Sequence, residues 1–331
     1  MRINILPKDF AESGRVVAII GENYRSCLWN ECYNSVGSFT LELSKEYYKK
    51  IDVDMYVQRA DRKNLMVIKS LQIENESLII SGKQATQVLD DVAFVGTINE
   101  NANIDTTLYN AYNNTRKYPF VDVVKNPKIA EKYAHQISNK SMLELYTNMC
   151  EENNIGFRAF LQNNNRLGIE LYKPDNTPAV FSEFAGNAKL ENILKSIEGY
   201  KNYAIVLGEG EGAKRVRVDV DLSTGGEQLR ELIVDARNTR KEEEDTDATY
   251  KEKLKSEGAE KLLEKTKAFT IELSNSAQGF GTRYDLGSRV KIFLPEYGLT
   301  YETRIASFSE KSQHNNSEIS VTFGKLLKTT R

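Results

Sequence analysis

Apolar and polar positions along the first 95 residues alternate in short runs. "RVVAIIGE", "SFTLELS", "IDVDMYVQR", "NLMVIKSLQIE" and "ESLIISGK" are rich in β-branched residues and separated by polar turn segments. Period-two alternation of this kind predicts half-buried strands. Closely spaced strands with turn signals between them predict an antiparallel barrel or sandwich over 1–95. Ala85, Val88, Leu89 and Val92 then fall at helical spacing, so a short helix follows the last strand. Residues 96–195 read as a connection plus a small α/β domain. Its Asn-, Thr- and Tyr-rich start, from Gly96 to about Lys128, has weak periodicity. Met142, Leu145, Tyr146 and Met149 predict a helix over 138–153, capped by Ser138 or Ser141 and stopped by Gly156. A hairpin turned by three asparagines is expected over 155–172.

Strand character returns over 196–239 and 268–331. In "KRVRVDVDL", Val216, Val218 and Val220 alternate with charged neighbours, one face dry and one wet. Between the two stretches, 240–267 is a charged helical insertion. Tyr250, Leu254, Leu262 and Leu263 form a thin apolar stripe on it, with Gly258 as a weak point, so it is expected to project or pack by half.

The chain also repeats itself. "FTLELS" at Phe39–Ser44 returns as "FTIELS" at Phe269–Ser274. "AIIGE" upstream of the first matches "AIVLGE" upstream of the second. Downstream, "IKSL" and "ISGK" match "IASF" and "TFGK" in the same order. Ordered matches of this kind indicate an internal duplication. The expected fold class is therefore α+β, mainly β: two similar antiparallel β-barrel domains with an α/β domain between them, the second barrel split by the helix.

Composition narrows the function classes. The 331 residues carry 45 Lys and Arg against 47 Asp and Glu, a net charge of −2. No global basic field exists to condense on nucleic acid or an anionic membrane. No run reaches the ~18 apolar residues of a membrane helix, and the start lacks a signal-peptide layout, so assembly in a cytoplasm is expected. Cys27, Cys32 and Cys150 are an odd set, unlike a disulfide framework, and too few for a closed zinc site.

Motifs for catalysis are weak. "LGEGEGAK" lacks the G-x-G-x-x-G spacing of a dinucleotide site, and Glu209 and Glu211 would repel phosphate. It reads as a hairpin tip facing water or a partner. The two histidines, His135 and His314, stand beside no nucleophile motif. Asp52/Asp54 and Asp219/Asp221 sit at strand spacing, as on a solvated face. No catalytic residue, cofactor or metal is expected. Candidate partner contacts are Tyr109, Tyr112, Tyr118 and Phe120 in the long segment, where tyrosine gives contact area at low entropy cost. Glu209, Glu211, Tyr250 and Leu254 complete that set.

The order of these segments resembles a known family. "CLWNECYNSVGSFTLELSKEYY", strands closing on "SGK", "YKNYAIVLGEGEGAKR", "RELIVDARN", a charged helix and "YDLGSRVKI…TRIASFSE…ISVTFGK" are similar to the hub or tail-associated proteins of siphophage tail tips. That fold is shared with the central baseplate hub of contractile tails and tailocins. The individual signatures are Trp29 with Gly37-Ser38-Phe39, Asp235-Ala236-Arg237 and Asp285-Leu286-Gly287. The resemblance covers essentially the whole chain. It implies a homotrimer whose six barrels sit on a sixfold tail tube while presenting threefold symmetry to a fibre or spike. Expected partners are the tube-end ring, the tape measure protein and a fibre, spike or receptor-binding protein, with DNA passing through without specific binding. The location implied is the virion tail tip. Some relatives continue into a lytic or receptor-binding region; with the sequence ending at "TFGKLLKTTR", any such activity is expected on a separate protein. A receptor- or carbohydrate-binding module and a cell-wall hydrolase are the rival readings.

Overall fold

The computed structural model describes residues 2–9, 16–115, 118, 120–175, 178–274, 279–313, 316–324 and 328–329. They form two compact units, Met1–Asn192 with Ile271–Arg331, and Ile193–Thr270.

The first unit is built on antiparallel strands. Seven come early: β1 (Ile3–Leu6), β2 (Ala18–Gly21), β3 (Ser26–Cys32), β4 (Ser38–Ser44), β5 (Tyr56–Arg59), β6 (Leu65–Glu74) and β7 (Ser77–Gln84). Leu299–Gln313 and Asn316–Phe323 make a long C-terminal hairpin. The alternation forecast from sequence sets the faces. Trp29, Phe39, Leu41, Ile80, Phe308 and Val321 are buried, and their neighbours in sequence are exposed or half-buried.

The two barrels do not appear. The strand path runs Asn316–Phe323, Leu299–Gln313, β3, β4, β7, β6, β5, β1, β2 and ends there, with no closed barrel among the described residues. The reason is a pairing that sequence periodicity cannot show. Ser307–Gln313 lies antiparallel on Cys32–Ser26, so the edges that would close two separate barrels pair with each other. What repeats is a smaller motif. β4 pairs β7, and β7 pairs β6 with a bulge between Ile68 and Ser70. Ala268–Ser274 pairs Asn316–Phe323, which pairs Leu299–Gln313 with a bulge between Ile305 and Ser307. "IKSL" and "IASF" thus sit at matching bulges. "AIIGE" and "AIVLGE" do not match, since the first is β2 and the second lies in the other unit.

The segment between β7 and the C-terminal half shares one core with Leu6, Tyr56, Leu65 and Val67 of the first strands. α1 (Ile104–Asn114) crosses the stretch expected to be a structureless connection. Asn103 caps it by accepting from the Thr106 N–H at 2.9 Å, and Ile104, Leu108, Ala111 and Tyr112 are buried. α2 (Met142–Glu152) starts later than forecast, because Ile137–Ser141 pairs as a strand with Ala93–Ile98. Ser141 and Glu144 form a reciprocal capping box there. The expected hairpin is present as Gly156–Leu161 and Leu167–Tyr172, and Val121–Val124 adds to it in parallel.

The second unit corrects the domain plan. Tyr203–Leu207, Arg217–Asp221 and Glu231–Asp235 form their own three-stranded sheet rather than half of a barrel. α3 (Asp247–Leu263) packs on it through Tyr250, Leu254, Gly258 and Leu262, spaced four apart on one face. Leu263 points away and is 37% exposed. Gly258 is the contact, not a weak point: a Cβ there would lie 2.5 Å from Val206 Cγ2 and 3.0 Å from Val220 Cγ2. Helix propensity alone favours Gly258→Ala by about 1 kcal/mol. Overpacking against stiff valines costs about 1–3 kcal/mol. Gly258→Ala is therefore expected to lower the stability of this unit in urea melts.

Candidate functional site

The residues forecast as partner contacts divide by burial. Tyr112 is fully buried in the core with α2, and Tyr250 and Leu254 are buried beneath the small sheet. These three are corrected: their area is spent inside the chain. The Tyr250 hydroxyl accepts from the Glu209 N–H at 2.8 Å and donates to the Thr239 carbonyl at 2.9 Å. That pins the "GEGEG" loop, where a Cβ on Gly208 would lie 2.5 Å from the same hydroxyl. Glu209 is half-buried and Glu211 exposed. Tyr109 is half-buried with the Lys125 ammonium 4.5 Å from its ring centre. Tyr118 and Phe120 are half-buried on the core and line a groove of about 250 Å³ with Tyr56, Val67 and Val88.

A different cluster dominates the electrostatics of the first unit. Glu31 alternates inward with Cys27 and Trp29 on β3 and is 0% exposed. The Trp29 Nε1–H donates to it at 2.8 Å and the Asn64 amide at 2.7 Å. Arg62 donates to both Glu31 oxygens, at 3.2 and 3.1 Å, and to Asp285 at 2.7 and 2.9 Å. Its guanidinium also lies 4.6 Å from the Phe308 ring centre. Burial works against the charge of Arg62, but Glu31 and Asp285 outweigh it and hold the pKa above the ordinary value. Three residues earlier, Arg59 is 3% exposed, pairs with Glu310 at 2.8 Å and lies 5.3 Å from the Trp29 ring centre. The turn after β5 is thus fastened to the C-terminal half by two buried arginines.

Beside Arg62 lies a cleft of about 400 Å³, with Lys63, Arg158, Tyr172 and Asp285 in its wall. Its charged groups are ion-paired: Lys63 and Arg158 share Glu170, each at 2.6 Å. With Arg62 held between Glu31 and Asp285, the cleft wall is an ion-paired seam. The other chemical candidates resolve similarly. Burial pushes the Cys27 thiol up to about 12 and raises Cys32 and Cys150, away from nucleophilic thiolate. Asp52 pairs with Lys8 at 2.9 Å and Asp219 with Arg217 at 2.8 Å on the surface. Among the described residues no His, Cys, Asp or Glu cluster could hold a metal, and no helix is long and apolar enough to cross a membrane. His314 lies outside the described residues.

His135 makes a structural contact, its Nε2 3.4 Å from Glu152 and its ring edge-on to Tyr133. The Glu152 hydrogen bond raises its pKa above 6.5. A raised folded value means stabilisation fully present below the unfolded pKa and lost as pH rises through the folded one. Thermal melts are expected to show that component in wild type and its loss in His135→Ala.

Sequence reading missed Arg59, Arg62 and Glu31. One signal pointed to them: a carboxylate on the apolar face of a strand needs a buried partner.

The architecture has solved counterparts. A 43 kDa tail protein of prophage MuSo2 from Shewanella oneidensis superposes with a TM-score of 0.57 at 15% identity, covering 98% of both chains. A tail protein from Neisseria meningitidis MC58 gives 0.55 at 13%, covering 98% of this chain and 96% of that one. Prophage tail protein gp18 from Listeria monocytogenes EGD-e gives 0.53 at 14%, covering 100% and 96%. The fold is that of prophage tail proteins. No curated protein matches the chain. The model of the siphovirus ReqiPepy6 Gp37-like protein family matches residues 12–325, and the chain belongs to that family.

Proposed function

We propose that this chain is a structural hub of a phage tail tip, a homotrimer that adapts a sixfold tail tube to a threefold fibre or spike. The observation that carries the reading is the pair of matched strand triplets in one sheet. β4, β7 and β6 form one, and Ala268–Ser274, Asn316–Phe323 and Leu299–Gln313 the other, each with a bulge at the Ile-x-Ser step. Two quasi-equivalent triplets per chain give six in a trimer, which is what a threefold-to-sixfold adaptor requires. Heterologous contacts would close such a ring. The buried ion pairs that Arg62 makes across the strands support a scaffold rather than an enzyme. Neighbours in this reading are the tube-end ring, the tape measure protein and a fibre or receptor-binding protein, in a virion assembled in the host cytoplasm. Mass photometry of the full-length chain is expected to show trimers or multiples of three. Monomers or twofold pairs at all concentrations would refute the proposal.

A further inference from the structure

The outer face of the small sheet has the makings of a covered surface. Residues opposite in register share a face, and α3 covers the side that carries Ala204, Val206 and Val220. On the other side the central strand presents Tyr203, Ile205 and Leu207, with Ile233 beside Ile205 at 70% exposure. That strand, "YAIVL", is apolar on both faces, the pattern of a strand packed on both sides. It also pairs in parallel with Glu231–Asp235, an arrangement found mainly where both faces of a sheet are covered. Its two neighbours put Arg217, Asp219, Asp221, Glu231 and Asp235 around the apolar strip.

The rim charges are not all spent. Arg217 holds Asp219 at 2.8 Å, and Arg215 and Arg237 hold Asp235 at 2.6 and 2.5 Å. Asp221 and Glu231, on either side of Tyr203, have no ion pair among the described residues. One end of the strip is thus open carboxylate, which calls for lysine or arginine opposite. Size selects the occupant. Strands of five residues, at about 3.3 Å each, make a face about 16 Å long, and three strands about 4.8 Å apart make it about 10 Å wide. That is the footprint of one helix of about three turns, roughly 11 residues. This chain has no such helix to spare. The apolar stripes of α1, α2 and α3 are buried within their own units, so among the described residues a second copy offers none.

We propose that the outer face of this sheet docks an amphipathic helix of a different tail protein, with lysine or arginine beside its apolar stripe. The stripe would cover Tyr203, Ile205, Leu207 and Ile233, turning a two-layer unit into a helix–sheet–helix sandwich. The cations would meet Asp221 and Glu231. The inference rests on the tail-tip reading for the source of the partner, since it takes the chain to be part of an assembled tail.

The test uses tail particles assembled with the full-length chain in which Ile233 is replaced by the photoreactive residue p-benzoylphenylalanine. Crosslinked peptides are mapped by mass spectrometry. The expected result is a crosslink to the apolar stripe of a helical, lysine- or arginine-bearing segment of one other tail protein. Crosslinks confined to this chain, crosslinks to a segment of other chemistry, or none at all would each overturn the assignment. Particles that lack this chain refute the tail-tip reading itself, a separate result. A synthetic peptide of the crosslinked segment is then titrated onto the full-length chain by fluorescence anisotropy. Asp221→Lys with Glu231→Lys is expected to weaken its binding by about tenfold at low salt and by less at high salt. Both positions are exposed, so the urea midpoint of that variant should match wild type. An unchanged affinity for the peptide would overturn the charge requirement.

Discussion

Replacing Arg62 by methionine is expected to destabilise the larger unit by about 3–5 kcal/mol, the cost of leaving a buried charge without its partner. The stranded group is Glu31, fully buried and left with donors only from Trp29 and Asn64. Asp285 contributes less to the penalty, since its side chain is 47% exposed and water can take over. Lysine is not a substitute, because the guanidinium spans both Glu31 oxygens, reaches Asp285 with another nitrogen and stacks on Phe308. Urea denaturation at neutral pH measures the loss. The same argument predicts its partner experiment: Arg62→Met combined with Glu31→Gln should recover much of the stability, because no charge then remains buried and an amide oxygen can still accept from Trp29 and Asn64. If the single and double variants are equally unstable, the cost lies in packing around Phe308 rather than in the orphaned carboxylate.

The case of Arg62 shows where sequence reading stops. The strands themselves are legible because one face is dry, and period-two alternation records that directly. Arg59 ends the strand read in "IDVDMYVQR", and Arg62 falls in the polar turn segment after it. Their partners Glu310 and Asp285 arrive from the far end of the chain, and nothing local encodes that encounter. The two-barrel expectation failed for the same reason, since the pairing of β3 with Ser307–Gln313 is tertiary. α1 was hidden differently. Its "IDTTLYNAYNN" is poor in strong helix formers, and the helix is held by the Asn103 cap and by burial of Ile104, Leu108 and Tyr112. In the small unit, the Tyr250 and Leu254 spacing was visible, but a thin stripe on a charged helix suggested half packing. Gly208 and Gly258 bring the helix close enough for that stripe to suffice.

Gly287→Ala is expected to be comparably damaging, at about 3 kcal/mol or more, through two costs that add at one atom. Gly287 has φ +79, a backbone region costing an L-residue about 1–3 kcal/mol. The new methyl would also lie 2.2 Å from Tyr33 Cε2, and overpacking of a closed core costs about 1–3 kcal/mol more. Tyr33 cannot step aside. Its hydroxyl donates to the Asn154 and Tyr172 carbonyls at 3.1 Å, and its backbone bonds Ala306 and Phe157 at 2.7 and 3.0 Å. On its other side Gly156 is just as tight, since a methyl added there would again lie 2.2 Å from Cε2. One tyrosine ring between two glycines therefore joins the first strands, the α/β segment and the C-terminal half. Gly156→Ala, whose φ is not in the positive region, should show the steric part alone. The two costs separate in a double variant. Tyr33→Ala is itself destabilising by about 3–5 kcal/mol, but Gly287→Ala added to it should cost only the backbone strain. A full penalty for Gly287→Ala in the Tyr33→Ala background would mean that the ring is not what the glycine accommodates.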